Sequence, residues 1–319
     1  MDPKSRKALL IFAGLSFALF AFALLFPGEL PNKSMSEAQA KAAPEEVNIA
    51  ELISQKSKSD KQLLNQFNFQ EAFAKTVKLP KTLREISGLA ITPDGKLLAH
   101  DDEKGIIHEL DYTTGKIINS FNITIGGRTL REDLEGIAAT EEYIYTVSSM
   151  GKIYEFSAGK NREAVPCKIY PTNLAVDWEV EGLTYHRPSR SLVIISKNPR
   201  SAKVRGKVGL FFWSLDSRSL QQNQTILMPI KDFAGKIGLK NFQPSGIEWD
   251  TPSGNYVLVA ARQRAVAEIN NSGNVLRVKR LTAKWHRQME GITFLNGKGI
   301  LISDEGAKQA ARLTFYPLK

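Results

Sequence analysis

The chain has 319 residues and a formal net charge of +10, and 42% of its residues are hydrophobic. That length is enough for one large all-β domain or two average domains, and a core of this size needs no disulfide staples. The single cysteine, Cys167, excludes an intrachain disulfide framework and a metal cluster built on cysteines. The positive balance fits nucleic acid, an anionic membrane surface or an acidic ligand as a partner, so the compartment has to decide among them.

The N-terminus has the pattern of a membrane signal anchor. Three cations in "MDPKSRK" precede the uncharged, mostly apolar run at residues 8–26, which is close to the ~20 residues that span a bilayer as a helix. Cations before the span place the N-terminus in the cytoplasm and the bulk of the chain outside it. A cleaved signal peptide is the alternative, but its expected small-residue site, "AQAKAA", lies well beyond the apolar run. Residues 1–27 are therefore predicted to be a basic cytoplasmic tip and an uncleaved single-pass transmembrane helix.

The rest of the chain is predicted to be exported. Residues 28–68 are rich in Ala, Glu, Lys, Ser and Gln and poor in large apolar residues, which indicates a polar stalk, and the folded domain is predicted to span residues 69–319. An exported domain is not expected to bind nucleic acid. Its positive surface would meet lipid headgroups, cell-wall polymers or small anions, or would serve solubility alone. A monomer is expected.

A short phrase, Ser or Glu followed by Gly and an aliphatic residue, occurs five times in this domain. The five occurrences are "ISGLAI" from Ile86, "LEGIAA" from Leu134, "VEGLTY" from Val180, "PSGIEW" from Pro244 and "MEGITF" from Met289. They recur at intervals of about 45 to 65 residues, and such periods in a β-rich chain are typical of propeller blades. The first four repeats each read as four short apolar runs separated by turn residues.

The fifth repeat lacks one strand, and the segment "FAKTVKLP" at residues 73–80 can supply it. Closing one blade with strands from both ends of the chain removes the free edges of the ring. The sequence therefore predicts an all-β fold, a β-propeller of five four-stranded blades. A ring of six blades is the alternative, but it needs a sixth repeat.

The motif also predicts where polar groups gather. The Gly lets the innermost strands approach one another closely, and the preceding Ser or Glu is expected at the mouth of the central channel. A second oxygen-bearing residue recurs two positions earlier, on the same face of the strand: Glu85, Asp133, Glu179, Gln243 and Gln288. Antiparallel order brings the ends of the second strands to the same rim, with these further acidic residues as possible contributors: Asp101, Asp102, Asp304 and Glu305.

Several carboxylates facing one narrow channel repel one another unless a cation compensates them. Calcium accepts six to eight oxygen ligands with tolerant geometry, so Glu135, Glu181 and Glu290 are the predicted metal ligands and calcium is the predicted ion. The alternatives are that these glutamates cap backbone N–H groups or pair with Arg262 and Arg264. Zinc is disfavoured because the four histidines show no spacing typical of zinc ligands.

Together the five phrases resemble the SdiA-regulated (YjiK-like) family of bacterial envelope proteins. The resemblance covers residues 70–319 and rests on "ISGLAITPDGKLLAHDDEKGIIHELDYTTGK", "DLEGIA", "EVEGLTY", "PSGIEWD" and "MEGITF…ILISDE". It implies a β-propeller that can hold calcium in its channel, anchored in the inner (plasma) membrane with the propeller in the periplasm. The motif glutamates are the ligands that it implies, and Ser87 and Ser245 depart from Glu. The resemblance implies no DNA binding and no activity.

Two classes of function follow. The first is an anchored binding module that holds a metal at its rim and takes a small-molecule or protein ligand, for which the basic loop at 197–207 could contact phosphate or be merely solvated. The second is a metal-dependent hydrolase of phosphoesters, lactones or other esters, in which the calcium polarises an oxygen and His100 or His286 activates water. The chain contains no recognisable nucleophile or phosphate-cradling motif, so binding is favoured and an enzyme stays open.

Overall fold

The computed structural model describes residues 62–197 and 199–319, and the predicted anchor and most of the predicted stalk lie outside this part of the chain. Within it, no helix has the length and apolar character needed to cross a membrane. The strands in chain order are β1 (Lys75–Lys78), β2 (Ile86–Ile91), β3 (Leu97–Asp101), β4 (Ile106–Leu110), β5 (Ile117–Ile125), β6 (Arg128–Thr129), β7 (Leu134–Ala139), β8 (Ile144–Ser148), β9 (Lys152–Phe156), β10 (Ala164–Pro166), β11 (Lys168–Pro171), β12 (Glu179–His186), β13 (Ser191–Lys197), β14 (Lys207–Ser214), β15 (Ser219–Leu220), β16 (Ile226–Pro229), β17 (Gly246–Trp249), β18 (Tyr256–Ala260), β19 (Ala265–Ile269), β20 (Val275–Arg280), β21 (Met289–Leu295), β22 (Gly299–Asp304) and β23 (Arg312–Pro317).

Helical structure in the described chain is confined to short segments. One α-helix, α1, spans Ile230–Ala234, and the 3₁₀ segments are Leu63–Asn65, Glu71–Phe73, Lys81–Leu83, Leu174–Val176, Arg187–Ser189, Ala202–Val204, Gln222–Gln224 and Gly235–Ile237. All of them lie between strands or before the first strand, so the sheets carry the fold.

The strands form five sheets, which confirms the predicted five-bladed propeller. From the innermost strand outwards, the blades are β2-β3-β4-β5, β7-β8-β9-β11, β12-β13-β14 with β15 and β16 on its outer edge, β17-β18-β19-β20, and β21-β22-β23-β1. Strand β1 pairs antiparallel with β23, with Val77 opposite Leu313, so the segment predicted at residues 73–80 does close the fifth blade. The first strands of neighbouring blades contact one another, and β21 contacts β2 to complete the ring.

One outer strand differs from the sequence prediction. The last of the four apolar runs in the second repeat is "VPCKIYP" at residues 165–171. It does not form a single fourth strand of the second blade, as the repeat pattern predicts, but divides between two blades. Strand β10 pairs in parallel with β5 of the first blade, and β11 pairs with β9 of the second. The change of sheet falls at Pro166, which has no N–H to donate, and at Cys167, whose N–H donates to the Thr124 carbonyl at 3.0 Å. The two blades are thereby joined at their outer edges.

The core lies between the blades, because each sheet is buried on both faces. In β18, Tyr256 and Leu258 pack towards the third blade, while Val257 and Val259 pack towards the fifth. The alternation of side chains along a strand thus requires apolar residues at consecutive positions. This explains why the second strand of each repeat reads as a continuous apolar run.

The propeller begins earlier in the chain than its composition indicates. Residues 62–69, which we call the strap, pack across the fourth and fifth blades, whereas the sequence assigns residues up to 68 to a polar stalk. Leu63, Leu64 and Phe67 are buried in the core between these blades. The Glu268 carboxylate accepts hydrogen bonds from the N–H groups of Leu63 and Leu64 at 2.6 and 3.0 Å. Three apolar residues and one distant carboxylate therefore dock the strap.

Candidate functional site

Four of the five motif residues lie in a β-bulge at the start of the innermost strand. On β7 the partners of Leu134 and Gly136 are the consecutive residues Ser148 and Val147, so Glu135 has no partner of its own. The same irregularity falls at Ser87, Glu181 and Glu290. A bulge interrupts the side-chain alternation and redirects one side chain, so the motif residue leaves the sheet where the strand enters the channel.

The motif glycines form a closed ring around the axis, which we call the glycine ring. Its members are Gly88, Gly136, Gly182, Gly246 and Gly291. A Cβ on Gly182 would lie 3.0 Å from the Gly246 Cα, and one on Gly291 would lie 2.9 Å from the Leu89 nitrogen. A Cβ on Gly136 would overlap the Leu183 nitrogen, and one on Gly246 would overlap the Glu290 carbonyl oxygen. Each blade's glycine thus abuts the backbone of the next blade.

The two blades with serine in place of glutamate use that residue differently. Ser87 Oγ donates to the Glu135 carbonyl at 2.9 Å, and Ser245 Oγ donates to the Met289 carbonyl at 2.6 Å. Each hydroxyl therefore joins its blade to the innermost strand of the following blade. The serines are structural contacts between blades, and the three glutamates remain as the motif groups at the channel.

These glutamates gather around one lysine, and we call this end of the channel the acidic mouth. Glu181 is 1% exposed, and its Oε2 lies 2.7 Å from the Lys197 ammonium, while Glu179 Oε1 lies 3.9 Å from the same group. The other carboxyl oxygen of Glu181, Oε1, is buried and accepts no hydrogen bond from the residues described. The structure thus brings the three predicted ligands together, with an ammonium group among them.

Burial and mutual repulsion raise the pKa values of all three carboxyls. Burial is the larger cause for Glu135, followed by the Glu181 carboxylate, and its pKa lies well above the usual range. The pKa of Glu290 is raised well above that range by burial and then by Glu305 and Glu135. Burial also raises the pKa of Glu181, but there the Lys197 ammonium is the largest opposing cause. The raised pKa values favour protons on Glu135 and Glu290, and Glu181 is the carboxyl whose ionised form is best compensated, because it pairs with the Lys197 ammonium.

Lys197 stays charged despite its burial. Burial lowers its pKa, but the carboxylates of Glu181, Glu179 and Glu135 outweigh that effect, and the net shift is upward. The lysine ends β13, the second strand of the third blade. The sequence reasoning placed it in the solvated basic loop and overlooked its role, although the equivalent strand end in the first blade carries an acidic pair. Its place at the end of a second strand, where the first and fifth blades carry acidic residues, was the available signal.

The predicted rim residues divide into two groups. Asp102 and Glu305 extend the acidic mouth: burial and then neighbouring carboxylates raise their pKa values to about 6 and about 7. Burial also raises the pKa of Asp101, whose Oδ1 accepts the Lys104 N–H at 3.2 Å. Asp304 has a different role, because it is 1% exposed and accepts the N–H groups of Arg287 and Gln288 at 2.8 and 3.1 Å. Its carboxylate orders the chain that enters β21.

Neither histidine considered as a base reaches the mouth. His286 is fully buried, with its ring nitrogens 2.8 Å from Asp304 Oδ2 and 2.6 Å from the Tyr316 hydroxyl. His100 is also fully buried, next to Gly88, and burial lowers its pKa to about 4. Both histidines are positioned as parts of the core.

A cavity of about 310 Å³ adjoins the acidic mouth between the third, fourth and fifth blades. Its wall combines amide and carboxyl oxygens with basic groups, and the polar and charged side chains that line it are Lys197, Gln243, Ser245, Arg262, Arg264, Arg287, Gln288 and Glu290. The mouth thus offers negative groups on the axis and positive groups beside it. Such a wall suits an anionic ligand that also contacts a cation.

The donors at the mouth are of the kind that calcium takes, but the arrangement is not that of a formed metal site. Within residues 62–197 and 199–319, no three His, Cys, Asp or Glu side chains are placed so that they could hold a metal ion. The Lys197 ammonium already pairs with Glu181, one of the three predicted ligands. Calcium therefore fits these residues only if Lys197 moves aside and the protonated glutamates lose their protons.

The raised pKa values predict that the propeller loses stability as pH rises. The unfolded chain releases the protons of Asp102 and Glu305 near pH 4, whereas the folded chain keeps the first up to about pH 6 and the second up to about pH 7, so unfolding becomes easier across these windows. We expect the melting temperature in EDTA to be higher at pH 5 than at pH 8, and the difference to shrink in Glu305→Gln. A melting temperature that rises from pH 5 to pH 8 would contradict the assigned protonation.

Comparisons with known proteins support the fold. The family model described as "Anaphase-promoting complex subunit 4 WD40 domain" matches residues 48–130, a minority of the chain. No curated protein matches. Among solved structures, glutaminyl cyclase from Myxococcus xanthus has 16% identity and a TM-score of 0.53, over 77% of this chain and 96% of that one. At that identity the likeness shows a shared fold alone.

Two further solved structures have lower scores. The PQQ-bound aldose sugar dehydrogenase from Streptomyces coelicolor has 13% identity and a TM-score of 0.46, over 78% of this chain and 99% of that one. Virginiamycin B lyase from Staphylococcus aureus has 11% identity and a TM-score of 0.43, over 77% and 99%. They add nothing to the evidence on function, which has to come from the site.

Proposed function

We propose that the chain is a periplasmic binding module of the bacterial envelope, tethered to the inner membrane by residues 8–26, whose acidic mouth binds calcium. The observation that carries the proposal is the convergence of Glu135, Glu181 and Glu290 on one end of the channel, where three blades each contribute a redirected carboxyl. The basic tip and apolar run support the tether. The motif spacing supports kinship with the SdiA-regulated family.

Calcium binding at this mouth is an exchange of cations. The ion would be held by the carboxylates of Glu135, Glu181 and Glu290, and it would supply positive charge that bridges these groups to a ligand oxygen. Lys197 would swing away from Glu181, and the protons on Glu135 and Glu290 would leave. The neighbouring arginines would then contact the anionic part of a ligand in the adjoining cavity. Ligand binding and calcium binding would thus support each other.

The hydrolase alternative receives no specific support. A hydrolase needs a group that accepts a proton close to the metal, and the two histidines considered for that task are buried in the core. We therefore propose binding as the function of this end of the propeller.

The test is to measure the melting temperature of the full-length chain in detergent solution and to compare three conditions: added EDTA, added calcium and added magnesium. Calcium at about a hundred times its dissociation constant would add about 2.7 kcal/mol to the free energy of unfolding, or about 5 °C in melting temperature. Lys197→Met should enlarge the calcium shift because it removes the competing cation. Glu181→Gln should abolish the shift, and Glu109→Gln, on β4, should leave it unchanged. If calcium shifts neither the wild type nor Lys197→Met, the metal part of the proposal is wrong.

A further inference from the structure

A second cavity, of about 320 Å³, opens at the other end of the channel, and we call it the far cavity. It is lined by residues of all five blades, one from each being Ile91, Glu141, Thr184, Glu248 and Thr293. These positions lie within the last three residues of the innermost strands or just beyond them. Glu248 is three residues after Ser245, which places it about 10 Å along the axis from the motif residues. The far cavity is therefore separate from the acidic mouth.

The two ends are divided by the glycine ring. Between them, the residues around the axis enclose a gap of about 10 Å³, which is too small for anything larger than a water molecule. A ligand in the far cavity would therefore enter from the opposite face of the propeller and would not touch Glu135, Glu181 or Glu290. The two sites can be tested independently.

Glu248 is held in a fixed position on the cavity wall. Its Oε1 accepts a hydrogen bond from the Thr184 hydroxyl at 3.0 Å and from the Trp249 N–H at 3.3 Å, and the Thr293 hydroxyl also faces the carboxyl group. Donors from two neighbouring blades thus orient one carboxyl towards the axis. A pre-oriented carboxyl in a concave site is a recognition group for a hydrogen-bond donor or a cation.

Once Glu248 ionises, the charges around the far cavity favour a cation. Arg187 lines the cavity, but its guanidinium is 2.9 Å from the Glu141 carboxylate, so that pair carries no net charge. Glu248 and Asp250 remain as acidic groups, and Tyr185 is a further titratable group on the wall. The apolar part of the wall includes Ala90, Ala138, Trp249 and Phe294. The site therefore combines a carboxyl with apolar surface.

We propose that the far cavity binds a small primary amine, with its ammonium group on the Glu248 carboxylate and its apolar body against the blade ends. The volume suits a compact ligand at the lower end of the usual range for small-molecule sites. The proposal goes beyond calcium binding at the acidic mouth and does not depend on it.

The protonation of Glu248 supplies a readout that a merely structural carboxyl would not give. Burial raises its pKa to about 8, against the opposing effects of the Thr184 hydroxyl and the Trp249 N–H. An ammonium group would bind the ionised form, so binding below pH 8 releases the proton of Glu248. The affinity for the amine should therefore increase about tenfold for each pH unit as the pH is raised towards 8. An alcohol of the same shape can donate a hydrogen bond but carries no charge to neutralise the ionised form, so its affinity should depend much less on pH.

The experiment is calorimetric titration of the full-length chain with two amines and their alcohol counterparts. The pairs are 2-phenylethylamine with 2-phenylethanol, and 1,4-diaminobutane with 1,4-butanediol. We expect at least one amine to bind about tenfold more tightly than its alcohol at pH 8, and to weaken about a hundredfold at pH 6. If neither amine binds, or if an alcohol binds as tightly as its amine, the proposal is overturned.

The matched variant is Glu248→Gln, which keeps the shape of the protonated carboxyl. It should melt within about 2 °C of the wild type at pH 7, because the wild-type group is mostly protonated there. It should lose amine binding at least tenfold and lose its pH dependence. Glu109→Gln, whose side chain lines neither cavity, should bind the amines as the wild type does. Unchanged amine affinity in Glu248→Gln would overturn the assignment.

Discussion

Gly136→Ala should destabilise the propeller by about 3 kcal/mol or more, because the new methyl group would occupy the position of backbone atoms in the next blade. The added Cβ would overlap the Leu183 nitrogen and would lie 2.7 Å from the Gly182 carbonyl carbon. Backbone at the centre of a closed ring cannot yield as a flexible side chain can. Relief requires β7 and β12 to separate, which opens the core between the second and third blades.

The measurement is thermal and denaturant unfolding of Gly136→Ala and of a control variant, in which a glycine with open space around it is replaced by alanine. For a domain of this size, about 3 kcal/mol corresponds to a fall of about 6 °C in melting temperature. The control is Gly235→Ala, at the C-terminal end of α1. A Cβ there meets nothing within 4 Å, and the backbone is already helical, with φ −60°. Alanine should be neutral or stabilising by up to about 1 kcal/mol there. Equal stabilities of the two variants would mean that the glycine ring is not close-packed.

The second large effect is expected from Glu268→Ala, which removes the acceptor of three buried hydrogen bonds. Besides the N–H groups of Leu63 and Leu64, the Asn255 side-chain amide donates to Glu268 Oε1 at 2.8 Å. Glu268 itself is fully buried. A buried donor left without a partner costs about 1–3 kcal/mol, so the substitution should lower the free energy of unfolding by about 3 kcal/mol. If the strap undocks, the N–H groups of Leu63 and Leu64 reach water, so the loss of free energy of unfolding should not exceed this magnitude.

Limited proteolysis distinguishes local undocking from global unfolding. In Glu268→Ala, cleavage within residues 62–73 should become much faster than in the wild type, while the blades stay intact at temperatures well below the melting point. Glu142→Ala, at an exposed position in the turn between β7 and β8, is the matched control and should leave both rates unchanged. A wild-type rate of cleavage in Glu268→Ala would show that the apolar contacts of Leu63, Leu64 and Phe67 hold the strap unaided.

The five blades and their closure could be predicted from the sequence because the relevant signal is local and repeated. Each motif glycine marks a place where backbones meet, and each run of apolar residues marks a sheet buried on both faces. The split of "VPCKIYP" between two blades was not predictable in this way, because the pairing of β10 with β5 depends on where the turns of two blades bring their edges. Edge strands have few local determinants.

The candidate site was predictable in its anions and not in its cation. Glu135, Glu181 and Glu290 recur at one motif position, so their convergence follows from the repeat. Lys197 has no counterpart in the other blades, and only the pairing of β12 with β13 places it opposite Glu179. Glu248 was missed for the same reason, since the equivalent positions in the other blades carry Ala or Thr. A functional residue that occurs in one blade alone cannot be predicted from the pattern that the blades share.

The strap lies directly before the strand that closes the ring. Chain upstream of Gln62 leads into the Glu268 hydrogen bonds first, then to Phe67, which pairs with Leu318, and only then to β1. A pulling force applied upstream of residue 62 would therefore reach the strap before it could peel the closing strand from β23. The closing strand would bear no load for as long as the strap stays docked.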